Sequence, residues 1–455
     1  MFKLGFILSA FGILFNSSLS LGQTLSLKEY IHLAEKNDPE FKAIFIDKEK
    51  LSHLVDQGLP SREMTLSASG EYGISTSGGT PSTAITAKAK KDVIETGTSA
   101  SLSHTLANQP DRTEGVTSFL IEQSLYKNFF GRDVRLKKGS LRKEEEILRL
   151  QVLENYESYL LTIITKYLDF QKATLDASLA KKAYKKTAEL NKNMLAKKRK
   201  RIATQTDVDK TELQLLIRQD DLNDKETKLK ELRSEIELVT GTDSAASVPA
   251  EPLNLKATLS ESPQSVSSPL SELREVRIVT LSEEIAQNSA ILAERSDDPS
   301  VNLLAGYTMD RSKRYGSEVN RNEILVGAQL EIPFFDTTTR ADAAIKHIEA
   351  EKLTLLKKIL LNSVQEKLEN FKQRLIAQNK RIESSNKKVS LSKRILKNEE
   401  ARFQTGRIDL DRLIDTENNF LTFQFQYQAE LLEYNKTALS WLALVDQLTL
   451  MKEQF

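Results

Sequence analysis

An apolar residue returns at every seventh position through a long stretch of the chain. From about 338 to 404 the sequence contains neither proline nor glycine. The repeating positions there are Leu361, Leu368, Leu375, Ile382, Val389, Leu396 and Phe403. A seven-residue repeat kept over this length predicts helices that supercoil against neighbouring helices. One continuous helix over 338–404 would span about 100 Å, far more than the diameter of an ordinary domain.

The same pattern occurs earlier in the chain, at an offset of 205 residues. The earlier series is Tyr156, Ile163, Phe170, Ala177 and Tyr184, and it turns polar at Asn191 and Lys198. Other positions match at the same offset, among them Phe130 with Phe335 and Arg135 with Arg340. This self-similarity predicts an elongated molecule built from an internal structural duplication.

Two stretches have a different texture, rich in serine, threonine and glycine with apolar residues at alternate positions. In the first stretch we expect three or four strands, near 64–76, 83–92, 97–106 and 115–126. In the second we expect strands at 301–307 and 324–332, joined by a polar loop at 310–322. The alternation is weak and the apolar faces are modest, which suits transmembrane β-strands better than a buried sheet.

The predicted organisation is therefore two repeats of the same series of elements. The main parts are a signal peptide at 1–22, a first repeat at 23–240, a linker or equatorial segment at 241–270 and a second repeat at 271–455. The first repeat contains a helix, a β-hairpin region at 64–126, a long helix at 136–200 and a return helix at 206–240. The second contains a helix, a β-hairpin region at 301–332, a long helix at 338–404 and a return helix at 409–450.

The N-terminus has the features of a secretory signal. Lys3 provides the charge, residues 4–15 are apolar, and Ser20-Leu21-Gly22 provides small residues for cleavage. A retained anchor is the alternative. No later stretch approaches 18 consecutive apolar residues, so we expect any insertion into a membrane to use a β-barrel.

Composition excludes several classes of function. Basic and acidic residues nearly balance, 65 against 64, which argues against nucleic acid as a partner. The absence of cysteine excludes disulfides, thiolate metal sites and a cysteine nucleophile. The four histidines have no ligand-like spacing, and no phosphate-binding loop or nucleophile motif occurs. We therefore expect no enzyme activity, no cofactor and no metal.

The two turns that join long and return helices are the candidate functional regions, and we call them the first and second tips. The tips contain Asp207 and Asp209 in the first, and Asp409, Asp411 and Asp415 in the second. In an oligomer such carboxylates would form acidic rings, which set cation preference at a constriction. The alternative is helix capping, which we favour for Asp409 and Asp411 because they lie in the first turn.

The order of these motifs resembles the TolC family of outer-membrane efflux channels over nearly the whole mature chain. The motifs are Leu25–Glu29 with Asn37-Asp38-Pro39-Glu40, Leu125–Asp133, Ile332-Pro333-Phe334-Phe335-Asp336 and Ala401–Glu417. The resemblance implies a homotrimer in which four strands per subunit close a 12-strand barrel in the outer membrane. It also implies a long α-helical barrel across the periplasm, made of antiparallel α-hairpins. Sheet edges left open in one subunit would need sister copies, because lipid does not satisfy them.

The resemblance also assigns roles at the tips. Asp207 and Asp415 match the periplasmic aperture acids. Arg412 stands where another acid often occurs, and Phe403 where a tyrosine often does, so the charge-linked gate of the family would be weaker here. Gly406, with Arg407 beside it, matches the tip glycine that lets adaptor helices approach, whereas Arg201 holds the equivalent place in the first tip.

We therefore expect an exit duct of a tripartite efflux pump or a type I secretion system. Its implied partners are a periplasmic adaptor, an inner-membrane transporter, outer-membrane lipid and its own copies. The basic run 197–201 is more simply a solvated helix end than an adaptor contact, and least of all a nucleic-acid site. The alternative function is a periplasmic coiled-coil adaptor or scaffold without a membrane barrel.

Overall fold

A computed structural model describes residues 25–59, 64–74, 81–109, 112–241, 269–314, 316–334 and 336–452. The predicted signal peptide at 1–22 lies outside these residues. Nearly all of the predicted linker at 241–270 lies outside them too.

Most of the described residues are helical. In chain order the helices are α1 (Leu27–Asn37), α2 (Pro39–Ile46), α3 (Leu51–Gly58), α4 (Arg132–Arg199), α5 (Gln205–Thr240), α6 (Arg274–Ser296), α7 (Thr337–Gln404), α8 (Leu410–Leu444) and α9 (Leu448–Met451). None of the helices in the described ranges combines the length and the apolar character needed to cross a membrane.

One antiparallel sheet contains the strands. They are β1 (Thr65–Ile74), β2 (Pro81–Val93), β3 (Thr98–Gln109), β4 (Arg112–Ser124), β5 (Ser300–Arg314) and β6 (Ser317–Glu331). Their order in the sheet is their order in the sequence, and each strand pairs antiparallel with the next. β1 and β6 are therefore the two edges.

The long helices form two antiparallel hairpins. α4 and α7 each contain 68 residues and begin 205 positions apart, at Arg132 and Thr337. At this length each spans about 100 Å. α4 packs along α5 and α7 packs along α8, while α4 also contacts α6 and α8. These contacts place the four long helices in a row, α5–α4–α8–α7.

The seven-residue repeat marks the faces that pack in these hairpins. Ile163 and Phe170 of α4 are buried, as are Leu375 and Ile382 of α7. A larger core lies where α1 meets α4, α5 and α8, and Tyr30 there stacks on Tyr167 with ring centroids 5.5 Å apart. The Tyr167 hydroxyl donates a hydrogen bond of 2.8 Å to the Leu25 carbonyl.

The structure corrects the expected number of strands. The sheet contains six strands, not the four per subunit that the family resemblance implied. The polar loop expected at 310–322 is also wrong, because β5 continues to Arg314 and β6 begins at Ser317. Those strand ends are polar on both faces, so alternation gave no signal for them.

The observed helix boundaries differ less from the predicted ones than the strands do. α4 begins four positions before the predicted 136, and the Asp133 amide there donates to the Asn128 side chain at 3.1 Å. The return helix expected at 409–450 ends at Leu444, because Asp446 adopts a left-handed φ of 60°. The chain then turns into α9.

Candidate functional site

The sheet has one apolar and one polar face. Directly opposite residues of antiparallel strands point to the same side, so the register defines rows across the sheet. One row consists of Leu66, Ala89, Leu102, Phe119, Tyr307 and Ile324. The next row, on the other side, consists of Ser67, Lys88, Ser103, Ser118, Thr308 and Glu323. We call the side of the first row the apolar face and the other the polar face.

The apolar face is exposed in the single chain. Leu66 is 77% exposed and Ile324 is 80% exposed, at the two edge strands. On β5 the apolar positions run from Val301 to Met309, and Arg311 follows on the same face. For a strand tilted as in membrane barrels this band is roughly 20 Å tall, close to the apolar band of such barrels. An exposed apolar surface that crosses every strand indicates contact with lipid or with other chains.

Exposed apolar side chains also mark the outer helices of the row. Near the tips they include Leu213, Leu216 and Ile217 on α5 and Leu391 and Ile395 on α7. All five lie within about three to four helical turns of the tips. Because α5 and α7 are the two ends of the row, these side chains lie on its opposite flanks.

Both tips have the same backbone geometry. The amide of Arg201 donates to Lys198 and that of Ile202 to Lys197, at 2.8 and 2.9 Å. The amide of Gly406 donates to Phe403 and that of Arg407 to Arg402, at 3.1 and 2.9 Å. These pairs of bonds define a Schellman motif, whose central residue is left-handed. Arg201 has φ 62° and Gly406 has φ 70°.

Asp207 serves as a helix cap. Its carboxylate accepts hydrogen bonds from the amide and the hydroxyl of Thr204, at 2.8 and 2.7 Å. The Asp207 amide donates back to the Thr204 hydroxyl at 3.1 Å, which completes a capping box. The hydrogen bonds from Thr204 hold the pKa of Asp207 below its usual value.

The second tip is closed by an arginine pair. Arg412 of α8 donates to the Glu399 carboxylate of α7 at 3.0 Å, and Arg402 reaches the same oxygen at 3.2 Å. Glu399 is buried despite its charge. Asp409 caps α8 by accepting the Arg412 amide at 3.0 Å, so the capping alternative describes Asp409 correctly. The Arg412 guanidinium is thus engaged within its own hairpin.

Polar contacts join the first tip to the second. Lys210 of α5 forms an ion pair of 2.6 Å with Asp411 of α8. The Lys197 ammonium lies over the Phe403 ring, 5.0 Å from its centroid. The hydrogen bond from Lys210 to Asp411 raises the pKa of Lys210.

A second set of contacts lies farther from the tips. Lys186 of α4 pairs with Glu417 of α8 at 2.8 Å and with Glu400 of α7. Burial alone lowers the pKa of Lys186, but the two carboxylates outweigh it and raise that pKa. Asn418 accepts hydrogen bonds from Gln214, at 2.9 Å, and from Arg218. These contacts hold the two hairpins together along the parts of the helices that lead to the tips.

Among the described residues, the acidic group that most resembles a metal site surrounds an arginine. Glu154, Glu157 and Asp446 bring carboxylate oxygens within 4.8 Å of one another. Arg274 pairs with each of them, reaching Asp446 at 3.0 Å. Its backbone amide also donates to Asp446 at 2.7 Å. This cluster fixes the start of α6 to α4 and to the end of α8.

Several solved outer-membrane proteins resemble the chain over almost its whole length. The outer-membrane protein VceC from Vibrio cholerae matches with a TM-score of 0.68 and 12% identity, over 93% of this chain and 95% of that one. The Campylobacter jejuni outer-membrane channel CmeC matches with a TM-score of 0.68 and 12% identity, over 93% and 86%. The Neisseria gonorrhoeae outer-membrane channel MtrE matches with a TM-score of 0.66 and 15% identity, over 93% and 89%. The chain has the fold of these outer-membrane channels.

The likeness lies in the fold rather than in the sequence. No protein-family model matches the chain, and no curated protein matches it either. The predicted resemblance to the TolC family is confirmed at the level of the fold. In this channel fold the sheet and the tips lie at opposite ends of α4 and α7, about 100 Å apart.

The channel fold brings some of the predicted tip residues together and not others. Phe403 meets Lys197, and Arg412 meets Glu399. Among the described residues no hydrogen bond or ion pair joins Asp207 to Asp415, and Asp415 is exposed. Gly406 and Arg407 are exposed, and a side chain at Gly406 would enter open space.

Sequence reasoning missed Lys210, Lys186 and Glu399. Each is one charged residue among many on a polar helix, and its partner lies on another helix. The pairs from Lys210 and Lys186 link residues about 200 positions apart. No local pattern in the sequence distinguishes these residues from solvated charges.

Proposed function

We propose that the protein is the outer-membrane exit duct of a tripartite efflux pump or a type I secretion system. It would span the outer membrane of a Gram-negative-type bacterium and extend into the periplasm. Transport through it would be passive and would involve no catalysis. The energy would come from an inner-membrane transporter, coupled through a periplasmic adaptor. The observation that carries this proposal is the apolar face that crosses all six strands.

The two faces of the sheet suit the wall of a membrane pore. The apolar face would contact lipid tails, and the polar face, with Ser103 and Lys88, would line an aqueous lumen. Ser118 and Thr308 already hydrogen-bond to each other on the polar face, at 3.1 Å. On the apolar face of the central strands the polar pair His104 and Thr117 is joined at 2.8 Å. A paired donor and acceptor lower the cost of facing lipid.

The single chain has two complementary flanks. One is formed by the first half of the chain, with β1 and α5 at its surface, and the other by the second half, with β6 and α7. Pairing β6 of one copy with β1 of the next would be antiparallel and would satisfy both sheet edges. The same step would bury Leu216 and Ile217 of α5 against α7 of the neighbour. Such a head-to-tail contact closes into a ring.

We take the ring to be a homotrimer, as the family resemblance implies. Four helices per copy in the row α5–α4–α8–α7 would then surround a periplasmic tunnel with twelve helices. Each half of the chain would be one structural repeat, with residues 241–270 between them. The tips would form the periplasmic end of the tunnel.

At that end we assign two roles. Asp415 would contribute an acidic ring to the aperture, because its carboxylate is exposed. Asp207, the acid that the resemblance assigns to the aperture in the first tip, is already engaged as a cap. Gly406 and Arg407 would meet the adaptor closely, while Arg201 would present a bulky cation at the first tip. A periplasmic adaptor or scaffold without a membrane barrel is not favoured, because it gives the apolar face no function.

Ion conduction in planar bilayers tests this function. We expect the purified protein to form channels that prefer cations in a salt gradient. Asp415→Asn should reduce that preference, and Asp409→Asn should leave it unchanged, since Asp409 caps a helix. A protein that inserts no channels would contradict the proposed function. Channels whose preference is the same in both variants would contradict the Asp415 assignment alone.

A further inference from the structure

The spacing of 205 residues between the two halves identifies a segment that only the first half contains. β3 and β5 end at Gln109 and Arg314, and β4 and β6 begin at Arg112 and Ser317, each 205 positions apart. Upstream of β3 the correspondence stops. α6 ends at Ser296 and β5 follows at Ser300, whereas α3 ends at Gly58 and β3 begins only at Thr98. Within the described residues of the second half, the β1–β2 hairpin therefore has no counterpart.

This additional hairpin extends the same sheet and does not pack against one of its faces. β2 pairs with β3 without interruption from Thr83↔Asn108 to Val93↔Thr98. Most of its apolar residues lie on the apolar face of the other strands, among them Leu66, Ala68, Tyr72, Ile74, Ile85, Ala87 and Ala89. A hairpin with solvent on both faces would not need exposed apolar residues on the same face as those of the neighbouring strands.

The position of the hairpin at the sheet edge explains how it can be tolerated. Two antiparallel strands added at an edge leave every other strand with its existing neighbour. They also preserve the direction of the edge, because β1 and β3 run the same way. Either strand can therefore meet β6 of the next copy in antiparallel fashion. Closure of the ring is kept while its circumference grows.

We propose that the β1–β2 hairpin is an insertion that widens the membrane pore to eighteen strands. This inference rests on the proposed function and on its three copies. Barrel diameter grows roughly linearly with strand number, so the wall would be about 1.5 times as wide as with four strands per copy. Barrels of that strand number hold an open aqueous channel. The membrane segment then admits large hydrophilic cargo, and the constriction lies at the tips.

Chemical cross-linking tests which strand meets the next copy. The chain has no native cysteine, so engineered thiols react alone. Leu66→Cys on β1 and Leu102→Cys on β3 are matched, because both lie in the same apolar row. Each is combined in turn with Ile324→Cys, Val326→Cys or Ala328→Cys on β6. We expect covalent oligomers with Leu66→Cys and none with Leu102→Cys.

Excision of the hairpin tests the width. Thr65 and Lys90 are paired partners, so removing residues 65–90 places Met64 beside Lys91. Polyethylene glycols added to the outer side of a bilayer should enter the full-length pore up to about 1.5 times the radius admitted by the excised variant. If the excised variant fails to fold, the cross-linking result and the exclusion size of the full-length pore decide whether the barrel has eighteen strands.

The outcomes separate the inference from the proposed function. Channels that cross-link through Leu102→Cys, or through neither position, overturn the eighteen-strand wall and leave the channel intact. Equal exclusion sizes for the full-length and excised proteins do the same. A full-length protein that forms neither oligomers nor channels overturns both.

Discussion

Arg201 and Gly406 occupy equivalent positions and share one backbone conformation, although only one of them is glycine. Each follows a 68-residue helix and is left-handed, with φ 62° and 70°. The left-handed conformation costs an ordinary L-residue roughly 1–2 kcal/mol, and glycine avoids that cost. The first tip therefore carries backbone strain that the second does not.

Replacing Arg201 with glycine should stabilise the first tip. Part of the gain is offset by the greater freedom of glycine in the unfolded chain, so we expect up to about 1 kcal/mol. Amide exchange at Ile202, which donates to Lys197, should then slow by up to about fivefold. Gly406→Ala should accelerate exchange at Arg407. Faster exchange at Ile202 in Arg201→Gly would show that Arg201 is not strained.

The Asp207 cap should be lost in acid. Its pKa is held down in the folded state, so its stabilisation is complete above the unfolded pKa of about 3.9. The stabilisation disappears as the pH falls through the lower, folded pKa. Exchange of the Thr204 amide should therefore accelerate, relative to the intrinsic rate, only below about pH 4. Asp207→Asn should remove this pH dependence, and a dependence that persists in Asp207→Asn would contradict the assignment.

The contact between Lys210 and Asp411 should help to hold the tips closed. This ion pair of 2.6 Å links α5 to α8 close to the tips. Exposed ion pairs are weak, so Lys210→Ala should raise the open probability only modestly, by up to about fivefold per contact. Single-channel recording measures this.

The matched control for that pair is Lys228→Ala. Lys228 is on the same helix and pairs with Glu231 one turn away, at 3.0 Å. Removing this pair breaks no contact between the two hairpins. The open probability of the Lys228→Ala channel should equal that of the wild type. If Lys228→Ala opens the channel as much as Lys210→Ala does, the effect is one of net charge and the specific contact is unimportant.

Arg274 should contribute far more to stability than its neighbour Arg277. Arg274 is buried among Glu154, Glu157 and Asp446, and its removal would leave Glu157, only 1% exposed, without its cation. Breaking a buried pair in this way costs about 3–5 kcal/mol. Arg274→Met should therefore lower the free energy of unfolding in urea by about that amount.

Arg277→Met is the control for this prediction. Arg277 is on the same helix and pairs at the surface with Glu146, at 3.3 Å. Its loss should cost at most about 1 kcal/mol. Similar losses for the two variants would mean that the buried cluster does not support the helix junction.

The long helices could be predicted from sequence because their signal is repeated many times. Ile163 and Leu375 each belong to a series, and both are buried. The ends of β5 and β6 had no such signal. Polar residues such as Lys313 and Glu318 occupy both faces of the sheet there, so apolar and polar positions do not alternate. The four strands per subunit implied by the family resemblance were too few, whereas the alternation around Leu66 and Ile85 already predicted strands there.

The tip contacts were beyond sequence reasoning for a different reason. Lys210 and Asp411 are separated by 201 residues, and their pairing depends on how two long helices cross. Capping by Asp409 was accessible, because a cap lies within one turn of its donor. Local chemistry could be predicted, whereas contacts between the hairpins could not.

Light scattering on the purified mature chain tests the central claim most directly. That claim is that copies join flank to flank, β6 to β1, and close a sheet whose apolar face meets lipid. We predict a detergent-dependent species with three times the mass of one chain, and precipitation when the detergent is removed. A monomer that stays soluble without detergent would contradict the account.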